Sequence, residues 1–182
     1  MSESLSERAL THELEPRIAA LVTGVLASPK ERDELIPDLE GEDNGLYLRL
    51  TQLASNLGEV VEDNDELTRD ILKDGRKGLR KQFYSGMVLM VKQGSPLDMT
   101  ATLAHEHGHR YTDDVFDEAG MVVSETIAEG AAFVVCDYFG LDISARSFPY
   151  IAGYSSGGFT PEMVDGIRTA SLGIIEGLLQ SP

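Results

Sequence analysis

Three of the four histidines of this chain fall within five positions, in the run His105-Glu106-His107-Gly108-His109. On a helix, residues four apart share a face one turn from each other, so His105 and His109 project together. Two imidazoles so placed can hold one Zn²⁺, each at about 2.0–2.1 Å. Glu106 follows the first of them and can act on a metal-activated water without binding the ion itself. Two histidine ligands with a glutamate general base form the apparatus of metal-assisted peptide hydrolysis. His107 points about 200° round the helix from His105 and is not expected to bind the same ion.

This chemistry needs a helix, and the preceding residues supply one. Ser95 is an N-cap, Pro96 suits the first helical position, and Asp98 places an acid in the first turn. Met99 to Ala104 is an apolar lead-in that suits burial. A second helix is expected from about Asp117 to Phe139, and it carries Glu125 and Glu129 on one face. Their neighbours Val122, Val123, Ile127, Ala128, Ala131, Ala132 and Val134 are apolar, so this helix should be mostly buried. Carboxylates there are costly unless paired or bound to a metal. Catalytic zinc takes three protein ligands and keeps one open position. One of the two glutamates is the natural third ligand. The other can accept the second ring N–H of a ligand histidine.

Around these helices the pattern is mainly α. Ser4 to Ala27 is amphipathic, with Leu10, Leu14, Ile18, Leu21 and Val25 at helical spacing, although Pro16 is expected to split or kink it. His12 reads as a surface residue. The acidic stretch Glu31–Asn44, with Pro37 and Gly41, reads as an exposed connector. Further helices are expected over about 46–61 and 63–72. Lys73, Arg76, Lys77, Arg80 and Lys81 form a basic cluster, read as a solvated loop. Gln82 to Lys92 is β-rich, and a hairpin turning at Ser85-Gly86 would leave an edge onto which an extended peptide could add. Asp113 or Asp114 could bond a ligand histidine, with surface capping as the alternative. Residues 142–154 read as helical or irregular. Tyr150 and Tyr154 within them could donate to an oxyanion, against a simpler role in aromatic packing. Thr160 caps a last helix to about Leu179.

Composition narrows the function. A formal net charge of −16 over 182 residues opposes binding to nucleic-acid phosphates and favours basic partners. No apolar run is long enough to span a membrane, and the start of the chain lacks the apolar stretch of a signal peptide. The single cysteine, Cys136, reads as a small core residue. A reducing, cytoplasmic setting is the simplest expectation.

Three segments together resemble a known family: Ala104 to His109, Glu125 to Val135, and Gly140 to Tyr154. They look like the ImmA/IrrE-type zinc metallopeptidases, and among these the ArdC-like antirestriction branch of phages, plasmids and actinobacteria. The likeness covers about residues 80–180 and leaves residues 1–79 as an N-terminal helical region. It implies an α+β fold, mainly helical with a small hairpin or sheet, in which residues 80–182 form a minimal zincin-like domain. It implies His105 and His109 as ligands, Glu106 as base, and Glu129 as third ligand, with Phe133 four residues on. Glu125 would then be the supporting acid. The same pair also resembles the thermolysin-like spacing, in which the first acid binds zinc and the second supports a histidine. The expected activity is cleavage of a regulatory protein, with helix-turn-helix repressors the targets known in the family. The alternative is a non-proteolytic acidic antirestriction protein that mimics DNA and keeps the zincin fold.

Overall fold

The computed structural model describes residues 5–28, 37–68, 72, 76–112, 118–155 and 158–180. It is mainly helical with one small sheet. The first helix, α1 (Leu5–Ala27), runs through Pro16 without breaking. Proline there removes one backbone hydrogen bond. The buried Leu14, Ile18, Leu21 and Val25 hold both halves against the core, and each such side chain contributes about 1.5–3 kcal/mol.

α2 (Leu46–Asn56) is shorter than its apolar stripe suggests. Gly58, at φ 75°, turns the chain just after the helix, a conformation that glycine adopts without steric cost. Val60 and Val61 therefore belong to a strand, β1 (Val60–Glu62), rather than to α2. The described part of the expected third helix is α3 (Asp65–Thr68), and the Leu72 N–H donates to the Thr68 carbonyl at 2.8 Å. Strands β2 (Gly78–Phe83) and β3 (Gly86–Val91) form the expected hairpin, but its turn is Tyr84-Ser85, one residue earlier than expected. The sheet order is β1-β3-β2, with β1 parallel to β3 and β2 antiparallel to it. Both β1 and β2 are therefore edge strands.

α4 (Pro96–Gly108) starts where the capping residues place it, with Ser95 Oγ accepting the Asp98 N–H at 3.2 Å. It packs against the sheet, where Leu89 and Val91 meet Ala101 and Leu103 in the core. α5 (Glu118–Tyr138) is the central helix, with Ala128, Ala131, Ala132, Val134, Val135 and Cys136 fully buried. α4, α6 (Ser144–Tyr154), α7 (Pro161–Gln180) and α1 all pack on it. The region before residue 79 thus shares one core with the rest and supplies one strand of the sheet.

Of the described members of the basic cluster, Arg76 and Lys81 are exposed as a solvated loop would have them, whereas Lys77 and Arg80 are drawn into ion pairs. Lys77 is buried and pairs with Asp98 at 2.8 Å and Asp38 at 2.9 Å, while Arg80 pairs with the buried Glu59 at 2.9 Å. Lys73 lies outside the described residues, as do Asp113 and Asp114.

Candidate metal centre

α4 and α5 cross at backbone contact. A Cβ added at Gly108 would stand 2.7 Å from the Ala128 Cα and 2.9 Å from its carbonyl oxygen. The absence of a side chain at Gly108 is what permits the crossing. Ala128 lies between Glu125 and Glu129 in sequence, so the crossing brings both carboxylates against the histidines.

The Nε2 atoms of His105 and His109 lie 3.0 Å apart. Glu125 faces both, at 3.4 Å from His105 Nε2 and 3.6 Å from His109 Nε2. His109 sits just past α4, in a 3₁₀ turn (His109–Tyr111) that keeps it one turn from His105. The outer nitrogens are tied back. His105 Nδ1 bonds Glu129 Oε2 at 2.7 Å, and His109 Nδ1 lies 3.2 Å from Ser124 Oγ, itself 2.7 Å from Thr112 Oγ1. Each imidazole is thereby oriented with Nε2 toward one common point, as metal-ligating histidines are when an outer partner holds the other nitrogen.

Of the two arrangements expected for the acids, the geometry is that with the first acid beside the imidazoles and the second supporting a histidine. Glu125, not the Glu129 that the family resemblance implies, stands beside the two Nε2 atoms. Glu129 is fully buried behind His105, where it also accepts Ser147 Oγ at 2.7 Å and faces Arg146 Nε at 3.4 Å. The reason is the height at which α5 crosses α4. It sets Glu125 level with the Nε2 edges and Glu129 level with an Nδ1 edge.

Donor chemistry and spacing fit a metal ion. For bonds of about 2.1 Å at tetrahedral angles, donors stand roughly 3.4 Å apart. Two imidazoles and a carboxylate whose donor atoms all lie within 4.8 Å of one another meet that requirement, so the cluster could hold an ion.

Electrostatics follow from burial and pairing. Burial alone would lower His105, but hydrogen bonds to Glu125 and Glu129 outweigh it and lift its pKa to about 10. Burial opposes ionisation of Glu125, yet the bond to His105, the charges of both histidines and the bond from Tyr150 bring it down to about 2. Glu129 reaches about 2 against the same burial, through Arg146, His105 and Ser147. Glu106, buried beside this group, is pushed up to about 7 by desolvation. A carboxyl poised there can both take and give a proton near neutrality. His107 is turned away, with Nε2 3.0 Å from the Leu50 carbonyl of α2, and burial lowers it to about 4.

Tyr150 is brought to the cluster, and Tyr154 stands against Tyr150. The Tyr150 hydroxyl donates to Glu125 Oε2 at 2.6 Å, and its ring meets His105 edge-on at 5.9 Å. Tyr154 packs on Tyr150 at 4.8 Å between ring centroids. Sequence reasoning missed Ser124, Arg146 and Ser147. A buried polar set continues from Glu129 through Arg146 to Thr102 (2.9 Å) and Asp98 (3.6 Å), and from Asp98 to Lys77. The available signal was Arg146-Ser147 standing beside the apolar positions of its helix.

No family model, curated protein or solved structure matches this chain.

Proposed function

We propose that this chain is a zinc-dependent endopeptidase of the ImmA/IrrE type, with His105, His109 and Glu125 as metal ligands and Glu106 as general base. The observation that carries the reading is the convergence of two oriented imidazoles and a carboxylate beside a buried glutamate of near-neutral pKa. A zinc ion, when bound, supplies Lewis-acid polarisation of a water and of the peptide carbonyl. Glu106 takes one proton from the attacking water as the new C–O bond forms. It returns that proton to the departing amine as the C–N bond breaks. Glu129 holds the His105 ring in the tautomer that leaves Nε2 free. Tyr150 holds Glu125 in the resting protein, and its hydroxyl can turn to the oxyanion that develops.

The outer edge of β2 beside Glu106 offers an extended peptide a strand to pair with. A net charge of −16 supports a basic substrate, such as a helix-turn-helix repressor. The same charge is the one observation favouring a non-proteolytic binder of a DNA-binding protein. Metal analysis of the purified chain, combined with Glu106→Gln in co-expression with a helix-turn-helix repressor, separates the two. Peptidase function predicts stoichiometric zinc and loss of repressor cleavage in the variant. Biological activity that survives Glu106→Gln selects the binder.

A further inference from the structure

We propose that the outer edge of β2 is the seat of the Glu106 carboxylate, with Gly78 as the residue that positions it and the backbone amide of Arg80 as the donor that holds it. The role given to Glu106 rests on the peptidase reading, but the seat itself is a matter of structure.

Strand register decides which amides are available. Phe83 and Gly86 pair across a two-residue turn, and Lys92 N–H donates to the Lys77 carbonyl at 2.7 Å. In an antiparallel ladder, bonded and non-bonded pairs alternate. Residues 77, 79, 81 and 83 therefore spend their backbone groups on β3, while Gly78, Arg80 and Gln82 point theirs away from the sheet. Glu106 accepts the outward N–H of Arg80. It reaches that amide past a position with no side chain. A Cβ on Gly78 would lie 2.4 Å from Glu106 Oε1 and 2.6 Å from Thr102 Cγ2. Thr102 and Glu106 are one turn apart on the same face of α4, so any side chain at position 78 displaces the carboxylate or lifts the strand.

The seat has a mechanistic consequence. A peptide adding to this edge aims a carbonyl at the same outward N–H. Pairing of substrate then takes the Arg80 amide and leaves the Glu106 carboxylate free beside the bond to be cut.

Amide hydrogen exchange, followed by NMR on the metal-free protein, tests the seat without any assay of activity. Arg80 and Gln82 both face outward on one edge strand. A bond to a carboxylate should slow Arg80 by about 10- to 100-fold relative to Gln82 after correction for intrinsic rates. Glu106→Ala should abolish that difference. Gly78→Ala should abolish it too, with protection elsewhere in the sheet retained. Should Gly78→Ala fail to fold, Thr102→Ser is added to remove the second contact, and Glu106→Ala stands as the independent arm. An Arg80 amide that exchanges like Gln82 in the wild type, or stays protected in Glu106→Ala, overturns the proposal. In the zinc-loaded chain, Gly78→Ala should lower kcat at unchanged metal content. Adding Glu106→Asp to it should cost less than Glu106→Asp costs alone, because both act on one carboxylate. Retention of cleavage by Glu106→Gln would reject the peptidase reading while leaving the exchange result to decide the seat.

Discussion

Gly108→Ala adds a single methyl group and should uncouple the metal centre. Gly108 is helical, at φ −58° and ψ −39°, so alanine fits its backbone. Helix propensity alone would make the variant more stable by about 1 kcal/mol. Sterics act against this. The new Cβ would meet the Ala128 Cα at 2.7 Å and its carbonyl carbon at 3.2 Å, backbone atoms that cannot rotate away. Ordinary carbon contacts are about 3.5–4.0 Å, so α4 and α5 must part by roughly 1 Å. Overpacking of this kind costs about 1–3 kcal/mol, which cancels or exceeds the gain in propensity. The larger effect falls on the cluster, because its donors come from both helices. Parting by that distance breaks the 2.7 Å bond between His105 Nδ1 and Glu129 and draws Glu125 away from both imidazoles. Loss of such outer support weakens metal binding by about 10- to 100-fold. The assay is competition for Zn²⁺ against a chromophoric chelator, beside urea unfolding of the metal-free variant. A Gly108→Ala protein that binds zinc as tightly as the wild type and unfolds at higher urea would refute the reasoning.

Glu125→Ala should remove stoichiometric zinc binding, whereas Glu129→Gln should keep the site and weaken it by about 10- to 100-fold. Equal loss in both, measured by the same competition, would mean that the roles are not divided as the distances of 3.4 Å and 2.7 Å indicate. Zinc at a hundred times its dissociation constant should stabilise the fold by about 2.7 kcal/mol, read as a rise in Tm that a chelator reverses; a Tm indifferent to zinc would count against a native site. His107 is neutral in the fold, with its pKa lowered to about 4, while an unfolded chain would protonate it near 6.5. The unfolded state therefore binds the extra proton, and stability falls as pH drops from about 6.5 to 4, by about 3 kcal/mol for this group. His107→Gln should flatten that decline in urea titrations at pH 7 and pH 4, and an unchanged decline would assign it to other groups. Tyr150→Phe should leave zinc content intact and lower kcat more than it changes KM, since the hydroxyl is asked to act on the transition state; an unchanged kcat would confine it to holding Glu125.

Local chemistry made half of the site legible. Ser95, Pro96 and Asp98 mark the start of α4 through capping, which depends only on neighbouring residues. Once that helix is placed, its period puts His105 and His109 on one face, and the same argument pairs Glu125 with Glu129 on α5. The mainly helical fold with a small sheet was likewise within reach, because amphipathic periods and turn residues are written in short windows. What lay beyond reach involved partners distant in the chain. Val60 and Val61 continue the apolar stripe of α2, and only pairing with Val88 and Leu89 makes them a strand. Lys77 and Arg80 look like a solvated loop until Asp98 and Glu59 are folded against them.

Which glutamate faces the two Nε2 atoms was decided in the same way. Periodicity puts Glu125 and Glu129 on one face and says nothing of the height at which a second helix crosses it. That height comes from Gly108 lying on Ala128, a contact across twenty residues in which the decisive feature is a missing side chain. Short-range rules report what a residue does to its own turn. A helix crossing is settled by sterics between surfaces that meet only after folding, and which acid meets the two imidazoles passed from sequence to tertiary structure there.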